Sequence, residues 1–129
     1  MKLLWIVALI ASVSCLDSCL RRLTESEVIG TYKAESDSAT STLTLKPDHT
    51  FEQTVTDKNG KTSAASGHWS LELKAPGSSI GHLYMTECLA FDHETSSGKW
   101  AGSSSSVTAL GFTTVEIAVD LDWGIAYRK

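Results

Sequence analysis

At 129 residues, 42% of them hydrophobic, the chain is long enough for one domain whose core needs no metal or disulfide support. A formal charge of −4 comes from 11 basic and 15 acidic residues; the basic ones are scattered except for Arg21-Arg22, so no basic stripe exists and nucleic acid is excluded as the expected partner. Beyond the first residues, no apolar run is long enough to cross a bilayer as a helix.

The chain opens on Lys2, an apolar run from Leu3 to Val13, and small residues at Ser12 and Ser14, which together read as a secretory signal over residues 1–14. Cys15 follows directly. Ser12-Val13-Ser14-Cys15 resembles the lipobox of bacterial lipoproteins, with Ser12 where that family usually carries Leu, Val or Ile. The resemblance implies that Cys15 becomes the lipidated first residue of the mature chain, anchored to an envelope membrane without spanning it. Ordinary cleavage after Ser14 fits the same small residues and would yield a periplasmic or secreted protein. Residues 15–23 then read as a tether and 24–129 as the domain. Cys19 and Cys88 either pair in an oxidising compartment or remain a tether thiol and a small buried hydrophobe.

Thr24 with Glu27 offers a capping box ahead of Val28-Ile29, predicting one helical turn that Gly30 ends. Alternation then takes over, and side chains two apart in a strand share a face. Gly30 to Ala34 starts the sheet, Ser41 to Lys46 follows, and Pro47-Asp48-His49 turns the chain into Thr50 to Asp57. Asn59-Gly60 signals a hairpin. The returning strand is predicted in two parts, 61–65 and 67–73, with Gly67 at a bulge or bend. Leu43, Leu45, Phe51, Val55, Trp69, Leu71 and Leu73 all fall on one face, the pattern of an antiparallel meander with one buried side.

Gly81 to Asp92 resumes the alternation, with Met85, Leu89 and Phe91 sharing the parity of Leu83 and with Glu87 on that apolar side. His93 to Ser106, rich in Ser and Gly and containing Trp100, reads as a loop at the barrel mouth. Val107 to Phe112, Val115 to Trp123 and Gly124 to Arg128 complete seven or eight strands, an all-β fold curled into a small barrel or half-open sheet.

Gly30-Thr31-Tyr32 after a helical turn, Leu43-Thr-Leu-Lys-Pro47-Asp-His-Thr-Phe51 and Ser66-Gly-His-Trp69 resemble small bacterial lipocalin-like lipoproteins. Tyr32 stands where lipocalins carry tryptophan, His49 where a turn glycine is usual, and the Thr-Asp-Tyr signature is missing. The resemblance implies a lipocalin-like barrel, and it implies that Arg128 packs over the first-strand aromatic.

No set of residues demands a chemistry. Paired catalytic carboxylates are not apparent, Cys88 has no adjacent base, and His49, His68, His82 and the Asp92-His93-Glu94 cluster lack diagnostic metal spacing, so neither enzyme activity nor a cofactor nor a metal is expected. An interior site for a small apolar ligand is the favoured reading, with Gln53 and Glu87 as polar groups on the core parity, Tyr32 and Trp69 as aromatic walls and Trp100 in the mouth loop. The competing reading makes Gln53 and Glu87 locally satisfied, in an envelope domain that binds a protein partner and no small molecule.

Overall fold

A computed structural model describes residues 21–89, 99–100, 103–110, 114–120 and 125–129. Eight antiparallel strands close into a barrel: β1 (Gly30–Glu35), β2 (Ala39–Leu45), β3 (Thr50–Asp57), β4 (Thr62–Leu73), β5 (Ile80–Met85), β8 (Ser103–Leu110), β9 (Thr114–Asp120) and β10 (Ile125–Arg128). They neighbour one another in that order, and β10 returns to β1. β6 (Cys88–Leu89) and β7 (Lys99–Trp100) form a separate two-stranded pair inserted between β5 and β8. The all-β expectation therefore holds in its closed form.

Period-two alternation explains the core. Tyr32, Leu43, Leu45, Phe51, Val55, Leu83, Val107, Val115 and Ile117 are all essentially inaccessible, while the neighbours of all but Val107 face outward or lie at intermediate depth. Both early hairpins use a three-residue loop whose last residue is left-handed, Gly60 at φ 80° and His49 at φ 64°. In the first loop Asp48 Oδ1 accepts from Thr50 N–H (3.0 Å), and in the second Asp57 Oδ1 accepts from Asn59 and Lys61 N–H (2.9 and 3.0 Å). These short polar side chains satisfy backbone donors that no strand reaches.

The two ends of the barrel differ. At one end, the helix end, α1 (Glu25–Val28) and the residues before it lie beside the turns that follow β2 and β4 and the start of β9, with Val28 and Leu23 buried. Glu27 reaches back to accept from Thr24 N–H at 2.9 Å. Arg21 to Leu23, read above as the end of the tether, lie on the barrel: Leu23 N–H donates to Ser78 O (2.9 Å) and Arg21 to Thr114 O (3.0 Å). The opposite, hairpin end carries the β1–β2 turn and the loop at residues 58–60, and there β6 approaches the interior.

Four sequence expectations are corrected. β4 runs unbroken from Thr62 to Leu73, so Gly67 marks no division of the strand; its missing Cβ is where the chain after β5 comes close, because a Cβ there would lie 2.3 Å from Thr86 Oγ1. Alternation does not run on to Asp92: β5 stops at Met85, Thr86 turns back to exchange bonds with His68 (both 3.0 Å), and parity is lost at that bend. β8 starts at Ser103 and not at Val107, because its serines pair with Leu83, Tyr84 and Met85 of β5. Arg128 points outward to Glu116 (2.8 Å), and Lys129 takes the place foreseen for it over Tyr32, its Nζ 5.2 Å from the ring centre.

Gly67→Ala is expected to destabilise the barrel by about 1–3 kcal/mol, since neither the Thr86 hydroxyl nor the Phe51 ring can withdraw without breaking contacts. Urea unfolding measures the loss, and a Thr86→Ala background should reduce it.

Candidate functional site

The interior is mostly apolar, with a few buried polar groups. Towards the helix end stand Tyr32, Leu43, Leu45, Phe51, Trp69 and Leu83, all buried. Towards the hairpin end stand Ala34, Ala39, Ser41, Val55 and Ile125, with Tyr127 of β10; the polar Gln53 lies between the two groups, paired with Leu43 of β2 and Ala65 of β4. Leu89 of β6, 6% exposed, joins the core on that side.

Gln53 is the hub. Only 4% exposed, its amide forms a two-bond ring with a single residue: Leu89 N–H donates to Oε1 at 2.7 Å, and Nε2 donates to Leu89 O at 3.2 Å. Nε2 also donates to the Tyr127 phenol oxygen at 3.0 Å. Ser41 Oγ lies 2.5 Å from that phenol and donates to Thr54 O at 3.0 Å. Gln53, Tyr127, Ser41 and the Thr54 carbonyl are thereby joined in one buried hydrogen-bonded network. Such a network is stable inside a low-dielectric core because its members are matched donor to acceptor.

Burial pushes the Tyr127 phenol above its usual range, opposed by its bonds to Ser41 and Gln53 and reinforced by the nearby Cys88 thiol. Cys88 is buried and free, and Cys19 lies outside the described residues.

The residues singled out from sequence do not converge. Tyr32 and Trp69 belong to the helix end, where the Tyr32 hydroxyl donates to Val28 O (2.5 Å) and the Trp69 indole N–H to Lys46 O (3.0 Å). Burial drives the Tyr32 phenol strongly upward. Glu87 is exposed, because the bend at Thr86-Glu87 turns it out of the apolar parity; the placement of its side chain inside the barrel is corrected. Trp100 pairs through its backbone with Cys88 in the β6–β7 ladder, and its side chain lies outside the description. Cys15 also lies outside the described residues. Gln53 alone of the set is an interior polar group. Ser41 and Tyr127 escaped notice, although Ser41 carries the signal that marked Gln53, a polar residue on an apolar parity.

Among the described residues, no group of three His, Cys, Asp or Glu side chains gathers as a metal site. The chain matches no protein-family model, no curated protein and no solved structure.

Gln53→Leu leaves the N–H and C=O of Leu89 without side-chain partners, and is expected to cost about 1–3 kcal/mol and to quicken alkylation of Cys88, read by urea unfolding and peptide mass spectrometry. Both buried tyrosines hold their protons more tightly folded than unfolded, so their contribution is intact below the ordinary tyrosine value of 10.0 and is lost as pH rises past it towards the folded values. Lys129, whose burial lowers its value, acts in the opposite sense but is common to both proteins compared. Tyr32→Phe should therefore flatten the alkaline fall in unfolding free energy relative to the parent chain.

Proposed function

We propose that the chain is an exported, lipid-anchored envelope protein whose lipocalin-like barrel binds a small apolar or amphipathic ligand at its hairpin end. The observation that supports the ligand reading is the buried polar group Gln53, linked to Tyr127 and Ser41 inside an otherwise apolar barrel that also contains the small side chains Ala34, Ala39 and Ala65. Small barrels hold one small ligand in that manner, among apolar walls with a few placed polar groups. Leu89 occupies the region as a two-residue strand held by a short ladder to β7 and by Gln53.

The anchoring reading rests on residues 1–15, with their apolar run and Ser12-Val13-Ser14-Cys15. It also has a geometric consequence. The chain leaves the barrel at the helix end, where Arg21 and Leu23 are bonded, so a lipid on Cys15 would hold that end within about 20 Å of the bilayer by the reach of an extended chain. The hairpin end then faces away from the membrane.

A second reading, a docking domain for an envelope protein, is favoured by the exposure of Leu73, Ile80 and Tyr84 on neighbouring β4 and β5.

Native mass spectrometry of protein freshly extracted from its membranes is expected to detect one co-purifying small lipid per barrel; an empty barrel in a stable hetero-complex would overturn the ligand reading in favour of the second. Palmitate labelling that persists in Cys15→Ser would overturn the anchor.

A further inference from the structure

The ring between Gln53 and Leu89 has a fixed sense. Oε1 can only accept and Nε2 only donate, and the structure matches them with the N–H and C=O that flank one α-carbon. We propose that the hairpin-end pocket selects an N-acylated α-amino acid unit with an aliphatic side chain, and that Leu89 holds the place of that unit until the ligand displaces it. The inference rests on the pocket reading above and names the class of ligand that the pocket takes.

Three observations support it. Gln53 is 4% exposed with Leu89 in place, so a ligand that takes over that position covers the amide in the same way and has to satisfy it. A hydrocarbon offers it neither partner. A fatty-acid carboxylate or an ester offers acceptors alone, leaving Oε1 facing lone pairs. An N-acylamino acid offers the N–H and C=O in the spacing that Leu89 already presents.

The third bond of the amide, to Tyr127, cannot substitute for the missing donor. Nε2 is itself the donor in that contact, so the contact gives Oε1 nothing. Oε1 therefore depends on the occupant of the pocket. Exchange is also structurally local. The segment to be moved has two ladder pairs, Cys88 with Trp100 and Leu89 with Lys99, and begins just after the bend at Thr86-Glu87, whereas every barrel strand keeps its neighbours.

The test uses the intact protein in phospholipid nanodiscs and three probes: N-octanoyl-L-leucine methyl ester, its analogue with the amide N–H replaced by an ester oxygen, and octanoic acid. Calorimetric titration is expected to give the amide an affinity about tenfold or more above that of the oxygen analogue, the effect of one lost buried donor. Binding of the amide, and of neither other probe, should accelerate alkylation of Cys88 as β6 leaves. In Gln53→Met the preference for the amide should vanish; the comparison within the parent protein stands even if that variant folds poorly. Equal affinity for the amide and its oxygen analogue would overturn amide selection while leaving an apolar pocket in place. Failure of all three probes to bind would overturn the pocket as well, and tighter binding of the amide with Cys88 unchanged would overturn the displacement of Leu89.

Discussion

A sheet that closes on itself has to give every strand two neighbours, and here that requirement falls on β10. Four residues long, it bonds to β9 along its length and meets β1 through the pairing of Lys33 with Arg128. The ladder is short, so side chains reinforce it from both directions: Tyr127 enters the core and joins Gln53 and Ser41 on β3 and β2, while Lys129 reaches past the strand to the carbonyls of Glu27 and Ile29 (the latter at 2.8 Å). The seam is thus held by a buried polar network on one side and by a charge-assisted cap on the other. Opening it would expose two unpaired edges, the liability that barrels avoid by closing.

The ends of the barrel follow from this arrangement. Lys129, Tyr32 and α1 consolidate the helix end, where aromatic rings bury most of their surface and give their single polar atom to a carbonyl. Elsewhere the interior uses polar groups as well, and Gln53 takes one of the inserted strands as its partner.

Most of the architecture was legible because period two survives in β1 to β5 and in β9. Leu43, Phe51, Val55, Trp69 and Ile117 read correctly as inward, and the hairpins announced themselves through Pro47-Asp48 and Asn59-Gly60. Gln53 could be picked out as a polar residue among apolar neighbours. Its partner could not, since β6 is too short to have a period and the change of face at Thr86-Glu87 is dictated by His68 and by the space at Gly67, thirty or so positions from Gln53 by chain geometry of the kind a local pattern does not contain. For the same reason Glu87 was misplaced and Lys129 was overlooked in favour of its neighbour Arg128.

His49 illustrates how local preference and tertiary need can part company. Glycine is the easiest residue for its left-handed position, and a histidine there stores backbone strain. The imidazole nevertheless packs tilted against Trp69, ring centres 4.9 Å apart, and pairs with Glu25 of α1, and the His49 backbone carbonyl accepts from the Trp69 backbone N–H at 2.8 Å. An engineer working by turn statistics would choose glycine here first. That choice would relax the turn and at the same time unfasten the stopper from the vessel, so any gain in the hairpin would be drawn from the rigidity of the base.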